Sequence, residues 1–201
     1  MTTDNAARSV LLIGRSQRVL DDSVAGLRDL GYKAEATNDF DDIAGRFDAR
    51  KLDLIVLGGQ VPADRKAELR EEIGAINPQV TFVQGLAGIP GLIVDQVQGA
   101  FASEQQDPTG APAYAPGERA IRLALAGPAD VKVTAWWQTS FVPPDPKSDS
   151  LVLLDDRLAG GDHTIPLPDR VPPDAAFSTV KIDAAVHAFS IDEFGASRRY
   201  Q

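Results

Sequence analysis

The chain has 201 residues, a net charge of -9 and no cysteine, and 43% of its residues are hydrophobic. This composition is typical of a globular protein with a buried core, and it excludes disulfide scaffolds, thiolate zinc sites and cysteine nucleophiles. The acidic balance repels polyanions, so we expect neither nucleic acid nor a membrane surface as a partner.

The first half alternates short apolar runs with amphipathic stretches, the pattern of β-α-β units around a parallel sheet. Apolar runs predict strands at residues 10–13, 54–57 and 80–83, and a weaker strand is predicted at 32–37. Helical spacing predicts a helix after each strand, with apolar stripes at Leu20, Val24 and Leu27; at Phe40, Ile43 and Phe47; at Leu69, Ile73 and Ile76; and at Ile93, Val97 and Ala100 or Phe101. Ser16 is expected to cap the first helix, and Asn38 or Asp39 the second.

A change of composition near residue 103 predicts a domain boundary. Only three of the 14 prolines precede it, and residues 103–117 are rich in proline, glycine and polar side chains without apolar periodicity. We therefore expect a first domain over residues 8–102, a linker over 103–117, a second domain over 118–192 and a tail over 193–201.

The second half alternates apolar and polar residues with the period of β-strands. Strands are predicted at 121–125, 131–135, 151–154, 163–167 and within 177–191. The turn signal Gly127-Pro128 predicts that the first two form a hairpin or an adjacent pair. Five or six short strands predict a small antiparallel β-sandwich, so the expected fold class is α/β plus all-β.

Trp136 and Trp137 are adjacent on a predicted strand and must point to opposite faces. One of the two is therefore expected in the core, and the sequence leaves open which one. If Trp137 shares the core face with Val133, Trp136 lies on the other face, where it either anchors a protein interface or lies beneath residues 141–146.

The sequence has two histidines, and neither has the spacing of a catalytic triad or a metal site. We expect His163 in a loop and His187 on a solvent-facing strand face shared with Lys181 and Asp183. The carboxylates of Asp155, Asp156 and Asp162 lack the spacing of a calcium loop and are expected to be solvated.

The stretch from Asp53 to Pro62, DLIVLGGQVP, resembles the third strand and following loop of response-regulator receiver domains. In that family an Asp, four apolar residues and the phosphoaccepting Asp are followed, after three residues, by Pro. The resemblance extends over about residues 8–102, through the strands SVLLI and VTFV and a first helix ending LRDLGYKAEAT. It implies a flavodoxin-like parallel sheet with helices on both faces.

The residues that perform phosphoryl transfer in receivers are missing from the matching places. Gly14-Arg15 replaces the carboxylate pair that helps to hold Mg²⁺, Gly58 replaces the phosphoaccepting Asp, and Gln84-Gly85 replaces the Ser or Thr after the fourth strand. No fifth strand with the family's Lys precedes the helix that starts near Gly91. The resemblance therefore implies a pseudo-receiver that keeps a surface for protein contacts, and we expect no catalysis, no metal and no cofactor.

A candidate ligand site nevertheless remains where the strands end. It combines a helix N-terminus with the residues expected beside it, which are Gly14, Arg15, Ser16, Arg18, Gly58, Gly59 and Gln84. The sequence contains neither of the glycine-rich fingerprints of nucleotide sites. The competing interpretation is that Ser16 is only a helix cap, Arg15 a solvated surface residue and Gly58-Gly59 a tight turn.

The function expected from these observations is that of a non-catalytic signalling or assembly protein, whose partner is another protein or a second copy of itself. The alternative is a sensor that binds a small anionic ligand or nucleotide over Gly14-Arg15-Ser16 and Gly58-Gly59. The opening residues resemble no signal peptide and no apolar run approaches ~20 residues, so we expect a soluble cytoplasmic protein.

Overall fold

The computed structural model describes residues 8–103, 111–140, 146–173 and 176–191. They divide into two compact units, the first ending at Val97 and the second beginning at Gln98. The predicted tail and residues 104–110 of the predicted linker lie outside the described residues. None of the described helices is long and apolar enough to cross a membrane.

The first unit is built on a four-stranded parallel sheet. Its elements are β1 (Ser9–Ile13), α1 (Gln17–Asp29), β2 (Lys33–Thr37), α2 (Ile43–Arg46), a 3-10 turn (Ala49–Lys51), β3 (Leu54–Leu57), α3 (Ala63–Ile76), β4 (Thr81–Gln84) and α4 (Pro90–Ser103). The strand order is β2-β1-β3-β4, with every pair parallel. This is the predicted flavodoxin-like sheet.

Both faces of the two central strands, β1 and β3, are buried, which explains why these strands are continuous apolar runs. Leu11 and Ile55 pack with Leu69 and Ile73 of α3 on one face. The alternate residues of β1 and β3 point to the other face and are at most 2% exposed. The boundary between the two compact units falls within α4, between Val97 and Gln98.

The second helix is shorter than its apolar stripe predicts. It is a single turn that starts after Asp42, a residue with φ of 45°, and neither Asn38 nor Asp39 caps it. The Asp39 backbone N–H instead donates to Thr37 Oγ1 at 3.1 Å, and the Asp39 carboxylate accepts from Arg46 at 2.8 Å. These local hydrogen bonds stabilise a turn in competition with a helix, so the prediction of a longer helix was wrong.

The second unit is an antiparallel sandwich. Its strands are β5 (Ala113–Ala115), β6 (Ala120–Leu125), β7 (Ala129–Ser140), β8 (Lys147–Leu158), β9 (Gly161–Pro166), β10 (Ala176–Ile182) and β11 (Ala185–Ile191). They form a four-stranded sheet, β11-β10-β7-β8, and a three-stranded sheet, β5-β6-β9, and both sheets contribute to one core. The predicted fold class is confirmed, and β5 is an additional strand inside the predicted linker.

The predicted pairing of the first two strands of this unit was wrong. β6 pairs with β5 and β9, whereas β7 pairs with β8 and β10. The turn at Gly127-Pro128 therefore leads from one sheet to the other. Both strands direct their apolar residues into the same core, so they show the same alternation of apolar and polar residues as a hairpin would. The two-residue period of a strand therefore does not identify the strand with which it pairs.

The tryptophan pair divides between the two faces of β7 as predicted. Trp137 is 6% exposed and belongs to the core, whereas Trp136 is half-buried on the other face. The Trp136 indole N–H donates to Thr179 Oγ1 at 3.0 Å. Residues 141–145, under which Trp136 was alternatively placed, lie outside the described residues.

Both histidine placements need correction. His163 lies within β9, with Nε2 2.8 Å from the carbonyl oxygen of Ala159. His187 pairs directly with Val180 across β10 and β11, so it shares the face of Val180, while Lys181 pairs with Val186. Across the two-residue turn, even-numbered residues of β10 share a face with odd-numbered residues of β11. The prediction treated residues 177–191 as if one alternation continued through the turn.

Candidate functional site

The candidate residues lie at the edge where β1, β3 and β4 end. Ile13, Leu57 and Gln84 are level with one another in the parallel register. The next backbone amides continue the ladder, because Gly58 N donates to Ile13 O at 2.8 Å and Gly85 N donates to Leu57 O at 2.9 Å. The strand ends are therefore closed by main-chain hydrogen bonds rather than separated by a cleft.

Gly58 approaches β1 too closely for a side chain to fit without movement. A Cβ atom built on Gly58 would lie 3.1 Å from the carbonyl oxygen of Ile13 and 3.3 Å from Cα of Gly14. A Cβ atom on the neighbouring Gly59 would meet nothing within 4 Å. A side chain at position 58 would therefore require the backbone of β1 to move by a few tenths of an ångström, whereas the space beside Gly59 is open.

Ser16 is the N-cap of α1, as predicted. Its Oγ accepts a hydrogen bond from the backbone N–H of Val19 at 3.4 Å, and its backbone is extended. The cap satisfies one of the amides that open the helix.

The two candidate arginines separate. Arg15 stays at the strand ends, where Nε donates to the carbonyl oxygen of Gln60 at 3.4 Å and Cζ lies 5.5 Å from the centre of the Phe40 ring. Arg18 lies farther along α1, with Nε 3.8 Å from Oδ2 of Asp22, and both side chains are more than half exposed. Arg15 is thus the candidate cation that remains at the site.

Gln84 has a structural role that the sequence did not predict. Its Nε2 donates to the carbonyl oxygens of Leu57 at 3.0 Å and Gly85 at 3.2 Å. Gln96 of α4 completes this arrangement, since its Nε2 donates to Gln84 O at 3.1 Å and its Oε1 accepts from Leu86 N at 3.1 Å. The only sequence signal for Gln96 is a polar residue in a largely apolar helix.

The candidate residues offer only a few kinds of chemical group. The site presents one guanidinium and main-chain amides, and no candidate residue in it is a carboxylate or a histidine. Asp53 lies at the opposite end of β3, where its Oδ2 accepts from Ser9 N at 2.6 Å. The described part of the chain contains no group of three or more acidic or histidine side chains able to hold a metal.

A groove of about 300 Å³ lies at that opposite end of the sheet, beside Ser9, Phe47 and Leu52. Its charged side chains are mixed in sign. Lys51 Nζ binds Asp48 Oδ2 at 2.8 Å, and this hydrogen bond lowers the pKa of Asp48 and raises that of Lys51. This pair is therefore internally compensated, and Arg28, Lys33 and Glu35 are the other charged residues of the lining.

Comparison of the chain with protein-family models finds no match, and no curated protein matches it. Function must therefore be argued from the strand ends and from the surfaces of the two units.

Proposed function

We propose that this protein is a non-catalytic signalling or assembly protein that acts through protein contacts of a degenerate receiver domain. The observation that carries the proposal is the packing of Gly58 against β1, at the place where the receiver resemblance puts the phosphoacceptor. The strand order β2-β1-β3-β4 supports a receiver-like scaffold. A cytoplasmic location remains part of this proposal.

Phosphoryl transfer needs an acceptor, a metal held by oxygen ligands and a cation beside the developing charge. Gly58 offers no acceptor, and Gly14-Arg15 offers no carboxylate for a metal. Arg15 alone would supply a positive charge, but neither a phosphoryl acceptor nor a metal ligand. A scaffold of this kind can act through the surfaces that it presents to other proteins.

We expect partner binding to be independent of phosphodonors. Immobilised full-length protein should capture the same partner from native cell extract, in the same yield, with and without acetyl phosphate and Mg²⁺. Intact-mass measurement should show no added phosphoryl group. The variant Gly58→Asp should also stay unmodified, because Gly14-Arg15 still cannot hold the metal.

A catalytically competent receiver treated in the same way serves as the positive control for the phosphodonor. A mass increase of one phosphoryl group on the first unit would refute the proposal. Capture of no protein above an empty-matrix control would count equally against it.

Arg15 favours a second candidate, a sensor of a small anionic ligand. Its Nε donates to Gln60 O at the strand ends, and its terminal nitrogens have no acceptor among the described residues. A helix N-terminus and an arginine together favour a phosphate or carboxylate group. This candidate binds at the same edge of the sheet but needs no partner protein.

For the sensor, a panel of nucleotides, sugar phosphates and cyclic dinucleotides should include a compound that raises the melting temperature. Ligand at 100 times its Kd stabilises a fold by about 2.7 kcal/mol. Arg15→Glu should abolish the shift, whereas Arg18→Glu should leave it unchanged because Arg18 lies with Asp22 on the helix surface. A panel without any shift, or a shift that survives Arg15→Glu, would exclude this candidate.

A further inference from the structure

The groove at the start of β1 and β2 lies over a part of the sheet that its neighbouring helix leaves exposed. Lys33 and Glu35 pair in register with Ser9 and Leu11, so their side chains lie on the same face of the sheet as Leu11. The helix that packs on this face, α2, is only a single turn. Both Lys33 and Glu35 are therefore exposed, and the groove opens beside them.

The groove contains charges of both signs that no ion pair compensates. Besides the bound Asp48–Lys51 pair, the charged residues of its lining are Arg28, Lys33 and Glu35. None of these three forms an ion pair with a described residue. Arg28 is nevertheless held in place, because its Nε donates to the carbonyl oxygen of Ala34 at 3.0 Å, while its terminal nitrogens have no described acceptor.

Lys33 and Glu35 are spaced so that one small molecule can contact both. They lie two residues apart on one strand, so their Cα atoms are separated by about 6.6 Å and their side chains leave the same face. A molecule with an ammonium and a carboxylate group on one carbon atom could bind Glu35 through the first and Lys33 through the second.

The apolar part of the lining can accommodate a side chain of such a molecule. Phe47 is half-buried and packs against the core of the first unit, and Leu52 is 6% exposed. The groove has a volume of about 300 Å³, which lies at the lower end of the range for small-molecule sites. A small metabolite therefore fits it better than a long peptide.

We propose that this groove binds a free α-amino acid with an apolar side chain. Glu35 binds the ammonium group, Lys33 and Arg28 bind the carboxylate, and Phe47 contacts the side chain. The inference goes beyond the proposed function, because it assigns a ligand site to the end of the sheet opposite Gly58.

Ligands with charge of one sign fit the groove less well. A simple carboxylate would leave Glu35 as an unpaired like charge beside it, and a simple amine would meet Lys33 in the same way. A nucleotide would bring several negative charges towards Glu35 and Asp48, and towards Asp53, whose Oδ2 accepts from Ser9 N at 2.6 Å. A zwitterion complements both signs.

Three compounds with the same phenyl ring test the inference on the full chain. They are phenylalanine, hydrocinnamate, which lacks the ammonium group, and phenethylamine, which lacks the carboxylate. NMR titration with phenylalanine should shift the backbone amide signals of Glu35 and Phe47. The Kd of phenylalanine should be at least about fivefold lower than that of either analogue, because only phenylalanine can engage both charges.

Two variants should change the affinities selectively. Glu35→Gln should raise the Kd of phenylalanine at least about fivefold without weakening hydrocinnamate, whereas Lys33→Gln should weaken both of these but not phenethylamine. A folding defect would weaken all three compounds, so the selective pattern distinguishes lost contacts from lost structure. Glu71→Gln makes the same change as Glu35→Gln on an exposed residue of α3 and should leave every Kd within about twofold.

The inference is overturned if neither phenylalanine nor leucine moves the Glu35 and Phe47 signals. It also fails if the three phenyl compounds bind with equal Kd, since the groove would then recognise the ring alone, or if Glu35→Gln and Glu71→Gln have equal effects. None of these results changes the capture of a partner protein, so a failure of this inference and a failure of the proposed function are distinguishable.

Discussion

Trp137→Ala is expected to lower the free energy of unfolding of the second unit by about 3–5 kcal/mol, as for other large aromatic side chains removed from a core. Trp137 is 6% exposed and packs in the core formed by both sheets of the sandwich. Arg170 lies over its ring at 6.0 Å and binds Asp149, the residue opposite Trp137 on β8, at 2.9 Å. Removing the indole leaves a cavity and also withdraws the surface on which Arg170 lies.

Urea unfolding followed by far-UV circular dichroism measures this loss without depending on tryptophan fluorescence. Trp136→Ala is the matched control, because it removes the same side chain from the next position. Trp136 is half-buried and loses its hydrogen bond to Thr179, so a cost of about 1–2 kcal/mol is expected. An equal loss of unfolding free energy in the two variants would contradict this prediction, because it would mean that Trp136 is as important to a core as Trp137.

The strands of the first unit could be predicted because their environment is uniform. β1 and β3 are covered on both faces, so a run such as Leu54–Leu57 contains no polar residue to confuse the assignment. The sandwich was harder to predict in detail. Its alternation defines the inward face of each strand, but whether β6 pairs with β7 depends on a turn that crosses between sheets.

The sequence predicted which residues of the candidate site lie near one another, but not how they pack. Parallel strands end at one edge, so the spacing of Gly14, Gly58 and Gln84 along the chain was enough to bring them together. The separation between β1 and β3 at Gly58 is a matter of tenths of an ångström, which no residue type reveals. The position of the Arg18 side chain was likewise not predictable, because it lies beside Asp22 on α1 rather than at the strand ends.

Gly99 of α4 is a second position where spacing in sequence cannot predict packing. Replacing glycine by alanine inside a helix normally stabilises a protein, by about 0.5–1 kcal/mol. In the second unit, however, a Cβ atom on Gly99 would lie 2.6 Å from the carbonyl oxygen of Val186 on β11. The neighbouring Gln98 accepts a hydrogen bond from Lys181 Nζ at 2.9 Å, so the end of α4 is held against these strands.

We therefore expect Gly99→Ala to destabilise the second unit by about 1–3 kcal/mol, the cost of forcing extra volume into a packed contact. Gly74→Ala in α3 is the matched control, because a Cβ atom there would meet nothing within 4 Å, and it should show the ordinary gain of about 0.5–1 kcal/mol. Urea unfolding of both variants measures two changes of opposite sign. If Gly99→Ala stabilised the protein as much as Gly74→Ala does, α4 could not lie against Val186 at the observed distance, and the placement of its last turns in the second unit would be wrong.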